Sequence, residues 1–144
     1  MKIKYKKIHP AAKTPEYKTA GAAAFDLSIV EDIDIPPHGL AKARTGLVIA
    51  TPPGHALILA ARSSAAAKFG IMLANGIGVV DSDYCGPEDE ILISLFNLRN
   101  ETAHLKAGDR IAQALIVPIV KGEMEAVDFI AAKNRGGFGS TGHQ

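Results

Sequence analysis

Cysteine is almost missing from this chain of 144 residues: Cys85 is its single one. No disulfide can close within the chain, and no cysteine-rich zinc site can be assembled. An excess of one charge sign is missing too. The net charge is +1, whereas a dedicated nucleic-acid binder usually carries a strong basic bias. No nucleic-acid partner is expected, although a compact basic site for one anionic ligand is compatible with that balance. The five histidines, His9, His38, His55, His104 and His143, are scattered without a short-range pair, which argues against a histidine metal cluster. Long apolar runs are also lacking. The basic N-terminus MKIKYKKIHP is followed by no apolar stretch of signal-peptide length. The most apolar later stretch, Ile111 to Val120, is interrupted by Gln113 and Pro118 and falls far short of a bilayer. The expectation is a soluble chain without a membrane partner, in a reducing compartment, the cytoplasm.

What is present suits one domain, 1–144. A chain of this length buries roughly 70% of its unfolded surface, enough for a core without staples. Hydrophobic residues make up 47%, and they fall in short runs. Ala41 to Thr51 carries Leu47, Val48 and Ile49; Ala56 to Ala61, Ile71 to Leu73, Val79 to Val80, Ile91 to Phe96 and Ile111 to Val117 follow. Breakers stand between them: Pro36-Pro37, Pro52-Pro53-Gly54, Gly86-Pro87 and Gly108-Asp109. Short Ile-, Leu- and Val-rich runs at this spacing predict an all-β sandwich, jelly roll or barrel. One short helix is expected at Ser63 to Lys68, with a serine N-cap and Phe69-Gly70 as its stop. The run Ile111 to Val117 lacks clean alternation, so both its faces should be covered; the second face falls either to another subunit or to an internal core.

Four stretches carry candidate chemistry, and each has a plain alternative. Arg62-Ser63-Ser64 ends a strand where a helix opens. A guanidinium fork, two hydroxyls and backbone N–H groups suit phosphate, but an ordinary cap with a surface arginine would look the same. In Val79-Val80-Asp81-Ser82-Asp83-Tyr84 two carboxylates stand beside an aromatic. Asp81 directly follows an apolar strand and should have restricted exposure, as a general base on water would. A simple turn explains the composition equally well, and Asp81 with Asp83 could hold a metal through oxygen. Gln113, among Ile, Ala and Leu, should be a buried amide that needs partners. The Gly-rich stretch Asn134 to Gly142 offers Arg135, Ser140 and Thr141 as phosphate donors, glycines such as Gly139 for close backbone approach, and Phe138 for stacking. Gly-rich ends are otherwise frayed.

Together these segments resemble the trimeric dUTPases. That family carries five motifs in fixed order, and the chain has counterparts of all five: Ala23-Ala24-Phe25-Asp26-Leu27; Arg62-Ser63-Ser64 running to Phe69-Gly70-Ile71; Asn75 through Gly78 to Tyr84; Gly108-Asp109-Arg110-Ile111-Ala112-Gln113; and Arg135 to Gly142. The resemblance implies a jelly-roll subunit with a mobile C-terminal arm over 133–144. It implies a homotrimer whose active sites are shared between chains, and hydrolysis of dUTP to dUMP and pyrophosphate with Mg2+ on the triphosphate. Such an activity limits uracil incorporation into DNA and supplies dUMP for dTMP synthesis. By the same resemblance, Asp81 deprotonates the water that attacks the α-phosphorus. Tyr84 packs against the deoxyribose and excludes a 2′-hydroxyl. Asn75 and the backbone of Val79, Val80 and Asp81 read uracil. Arg62, Ser63, Ser64 and Gln113 hold phosphates, and Asp26 holds the Mg2+ through water. The arm closes over a neighbouring site, with Phe138 on uracil and Arg135, Gly139, Ser140 and Thr141 at the phosphates.

Departures from the family pattern are local. Ala24 and Phe25 stand where glycine and tyrosine are usual, Ser64 where glycine is usual, and Cys85 replaces a longer polar residue. Gly86-Pro87-Glu88-Asp89-Glu90 is longer than the family's turn and is expected to form a longer loop without altering the chemistry. Two rival readings share the fold: a dCTP deaminase-type sibling, which needs a glutamate at the cytosine ring and lacks the Asp-Ser-Asp-Tyr pattern, and a non-catalytic nucleotide-binding protein.

Overall fold

The computed structural model describes residues 1–134 and 136. Among the described residues, eleven strands and one short helix make up the regular structure: β1 (Lys4–Lys7), β2 (Phe25–Ser28), β3 (Ile33–Ile35), β4 (Leu40–Arg44), β5 (Leu47–Ala50), β6 (His55–Ala61), α1 (Ala65–Phe69), β7 (Ile71–Leu73), β8 (Gly78–Val80), β9 (Leu92–Asn97), β10 (Ala103–Leu105) and β11 (Arg110–Pro118). The predicted runs become β5 to β9 and β11, and the long run Ala41 to Thr51 splits into β4 and β5 at Gly46, whose φ of 67° a residue with a Cβ rarely adopts. All four predicted breakers close hydrogen-bonded turns: Gly39 N–H donates to Pro36 O, His55 to Pro52, Asp89 to Gly86 and Asp109 to Lys106.

The strands form a jelly-roll-like β-sandwich in which every pairing is antiparallel. A four-stranded sheet runs β2-β11-β6-β8 and a three-stranded one β4-β9-β7, with β1-β5 and β10-β3 as two-stranded ribbons. Alternation decides which side chains point inward. In β9, Ile93, Leu95 and Asn97 are buried while Leu92, Ser94 and Phe96 turn outward. Leu27, Leu57, Leu59 and Ile111 of the larger sheet join Ala43, Ile71, Ile93 and Leu95 of the smaller one in a single core. Each large aliphatic side chain so buried contributes about 1.5–3 kcal/mol. The basic N-terminus forms β1, wholly exposed against β5; its lysines keep that ribbon from pairing with a further strand.

Two expectations are refined here. In β11 the uneven pattern has a geometric cause. A bulge against β2 between Arg110 and Ala112 lets consecutive residues Ile111 and Ala112 both be buried. Beyond it Leu115 and Val117 remain half-buried. The predicted helix is a single wide turn. Ser64 occupies its N-cap position without a side-chain capping bond, and Gly70, at φ 69°, ends it. Arg99 rather than serine secures this turn, donating to the carbonyls of Ala67 and Lys68 at 3.3 Å each.

Candidate active site

The larger sheet gathers charge at one end. Register places Asp26 of β2 opposite Gln113 of β11, and Gln113 opposite Ala60 of β6, so Arg62, just past β6, reaches across to Asp26. Its Nε lies 3.0 Å from Asp26 Oδ1, while Arg110 NH1 donates to Oδ2 at 2.9 Å. Arg62 NH1 also donates to Arg110 O at 3.3 Å. Asp26 is the covered member, its side chain 12% exposed against 28% for Arg62 and 44% for Arg110. A carboxylate between two guanidiniums fixes their aim and leaves one positive charge over. A guanidinium has five N–H donors, so Arg62 keeps some for a phosphate. Gln113, expected to be buried, is half-buried, and its amide donates through Nε2 to Ala61 O at 3.1 Å. Ser63 is exposed and Ser64 half-buried at the same end.

A groove of about 460 Å³ continues from Asp26 and Arg110 along Lys7, Lys13, Glu16 and Lys18. There Lys18 donates to Glu16 at 2.6 Å and holds that carboxyl below the ordinary carboxylate range. Among the described residues no group of three His, Cys, Asp or Glu side chains could hold a metal by itself. The donor set fits a different arrangement. Each Asp26 oxygen accepts from one arginine, and a carboxylate offers roughly four lone-pair sites, so room remains for the water of a hydrated cation. Mg2+ keeps several waters and is commonly carried by substrate phosphates.

The other predicted residues assemble elsewhere. β8 is the free edge of its sheet, and an edge strand presents unpaired backbone N–H and C=O groups. Beside it lies a cavity of about 250 Å³ lined by Val79, Val80, Asp81, Tyr84, Glu90, Ile91 and Leu92. Val79 and Tyr84 are 60% and 41% exposed. Asn75 is exposed in the turn before β8, which Gly76 makes at φ 72°. Contrary to the restricted exposure expected of it, Asp81 is exposed: the strand ends at Val80, and the chain leaves the sheet in a bend closed by Tyr84 N–H on Asp81 O at 3.2 Å. The Gly86 to Glu90 segment forms a closed turn, with Asp89 Oδ2 accepting from Gly86 N–H at 2.6 Å and Glu88 exposed.

One chain does not bring these two groups together. β8 runs antiparallel to β6 with Val80 opposite Leu57 and Gly78 opposite Leu59. Asp81 therefore lies beyond the level of Leu57, while Arg62 lies past the other end of β6. At about 3.3 Å per residue the two ends are about 20 Å apart along the sheet. The arm residues Arg135, Phe138, Gly139, Ser140 and Thr141 lie outside the described residues.

Sequence reasoning assigned no role to Arg110, although it stands inside a recognised motif, and none to Glu90. Nor did it single out Asn97, a wholly buried amide whose Nδ2 faces Ile35 O, Pro36 O and Glu101 O at 2.9, 3.1 and 2.7 Å. An Asn in a run of Ile, Leu and Phe was the available signal.

Comparison with known proteins agrees with this architecture. The dUTPase family model matches residues 11–142. A deoxyuridine 5'-triphosphate nucleotidohydrolase of Wolinella succinogenes is 46% identical, with 99% of this chain and 95% of that protein covered. One from Helicobacter pylori strain J99 is 40% identical, at 99% and 97%. Among solved structures, a dUTPase from Streptococcus mutans aligns with a TM-score of 0.75 at 28% identity, over 83% of this chain and 98% of that one. A Staphylococcus bacteriophage 80alpha dUTPase mutant with dUpNHpp aligns at 0.87 and 22% identity over 98% of each, a likeness of fold. With a family model spanning nearly its whole length and close relatives of one kind, the chain belongs to the dUTPase family.

Proposed function

We propose that this chain hydrolyses dUTP to dUMP and pyrophosphate through attack of water on the α-phosphorus. One observation carries the reading: the fold builds two unlike half-sites, an arginine-lined anion end and an edge-strand pocket with a carboxylate beside an aromatic ring. A nucleoside triphosphate has the same two unlike ends. Phosphates lie against Arg62, Ser63, Ser64 and Gln113. Asn75, the open edge of β8 at Val79 and Val80, and the backbone of Asp81 just beyond it read the uracil, whose donors and acceptors match backbone groups. Tyr84 packs on the deoxyribose, and Asp81 takes the proton of the attacking water. Mg2+, when bound, offsets charge on the triphosphate; Asp26 holds it through water. The arm, residues 133–144, closes over the nucleotide with Phe138 on the base and Arg135, Gly139, Ser140 and Thr141 near the phosphates. The reading carries with it a soluble, cytoplasmic setting.

The same reading requires more than one chain. The α-phosphorus is one ester oxygen away from the sugar, so the phosphate donors and Asp81 must meet around neighbouring atoms. Within one chain they stand about 20 Å apart along the sheet, so the site joins the anion end of one subunit to the edge pocket of another in a homotrimer. Exposed apolar side chains support that assembly: Val79 and Leu92 in the pocket, Ile77 in the turn before β8, and Val120, Met124, Phe129 and Ile130 in the segment after β11, of which Val120 and Met124 are 97% and 95% exposed.

The test is pyrophosphate release from dUTP, UTP, dTTP and dCTP with Mg2+, expected for dUTP alone at high efficiency. Ammonia from dCTP would mark a deaminase, and tight dUTP binding without cleavage a nucleotide-binding protein. Shared sites are tested by refolding Asp81→Asn with Arg62→Ala chains. The mixture should recover activity that neither variant has alone, and a mixture as inactive as its parts overturns sharing.

A further inference from the structure

Between Tyr84 and β9 the chain is anchored far more firmly than a surface loop needs. The Glu90 carboxylate, its side chain 12% exposed, accepts from Arg44 Nε at 3.0 Å and from Gly46 N–H at 2.7 Å. The next residue joins the same bend: Ile91 N–H donates to Leu47 O at 2.8 Å, and Thr45 Oγ1 donates to Ile91 O at 2.7 Å. The bend requires glycine, because residue 46 sits at φ 67° and a Cβ there would lie 2.7 Å from His9 Cβ. Glu90 and Ile91 are thus tied to the Arg44–Leu47 corner by four hydrogen bonds. The Glu90 carbonyl in turn accepts from the Tyr84 hydroxyl at 3.1 Å. Tyr84 is held at both ends, by its backbone N–H on Asp81 O and by its hydroxyl on Glu90 O. Both residues line the pocket that contains Asp81.

Resting on the proposed reading of that pocket, we propose that Arg44 and Glu90 are positioning residues for sugar selectivity: the Arg44–Glu90 ion pair fixes the carbonyl that fixes the Tyr84 ring, and this rigidity rejects ribonucleotides. A wall that could yield by less than an ångström would admit a 2′-hydroxyl; steric discrimination lasts only while the side chain is locked by its supporting contacts. The ion pair acts at a distance from the nucleotide, so its loss alters which sugar is accepted more than how fast the accepted one reacts.

The experiment is a double-mutant cycle on the ratio of kcat/KM for dUTP to that for UTP. Arg44→Ala should lower the ratio roughly three- to tenfold, the scale of one weakened hydrogen bond, chiefly by raising UTP turnover, with kcat for dUTP little changed. Tyr84→Phe should lower the ratio similarly, and Arg44→Ala should then add nothing in the Tyr84→Phe background. Glu90→Gln, which keeps an acceptor for Gly46, should fall between wild type and Arg44→Ala, and Arg44→Lys serves if Arg44→Ala does not fold. An unchanged ratio in these variants, or equal effects of Arg44→Ala in both backgrounds, overturns the inference. Wild-type dUTP turnover in the same assay separates that outcome from failure of the dUTPase reading itself.

Discussion

At the anion end the key charges already answer one another: Asp26 lies between Arg62 and Arg110, and the Gln113 amide has its carbonyl. At the edge pocket Asp81, Val79 and Tyr84 stand open on a free strand edge, and the order there comes from backbone anchors behind them. The contrast follows from what each half must do. Two arginines side by side would repel and wander, so a half-covered carboxylate is needed to aim them. On the proposed reading Asp81 is a base with the opposite need, since an arginine paired with it in advance would compete for the lone pair that takes the proton. About 20 Å of sheet separates them in one chain, well beyond a Debye length of about 8 Å at physiological salt, so the arginines of the anion end do not pair with Asp81 within one chain.

Substitution should break the two halves in different ways. Asp81→Asn is expected to cut kcat roughly a thousandfold, within the usual worth of a general base, while calorimetry finds dUTP binding and urea midpoint unchanged. Wild-type turnover in this variant would remove Asp81 from the chemistry. Asp26→Asn should be felt in both function and fold. Losing charge-assisted bonds to two arginines costs about 2 kcal/mol, seen as a lower urea midpoint and about thirtyfold in kcat/KM. An Asp26→Asn protein as stable as wild type would mean the arginines aim themselves. The smallest effect belongs to a pair outside both halves. Lys106 donates to Asp32 at 2.8 Å, and with Ala107 N–H it holds that carboxyl below its ordinary value. Because the folded state favours the ionised form, the contribution is complete above the ordinary value of about 3.9 and fades as pH falls through the lowered one. Both side chains are exposed, so Lys106→Ala should only slightly soften the acid limb of stability, leaving neutral-pH activity alone; an altered dUTP rate would tie this corner to the site.

Local chemistry was legible from residue order. Pro36, Pro52, Gly86 and Gly108 forecast turns because their backbone preferences act within four residues, and β5 to β9 and β11 followed from short apolar runs. The candidate site residues were named only through five spaced motifs. Their division into two half-sites was not legible, since it depends on the register of β8 against β6, which pairs residues about 20 positions apart and is set by which faces the core covers.

The sequence by itself determined an all-β chain of short apolar strands between turns, because turn formation and strand propensity are local properties. Tertiary structure alone decided that Arg110 shares Asp26 with Arg62 across 84 residues, that Asp81 is exposed, and that Glu90 anchors Tyr84 to the corner at Arg44. Each of those depends on which distant strands lie side by side, and hydrogen bonds of about 3 Å exist only once the whole sandwich has closed.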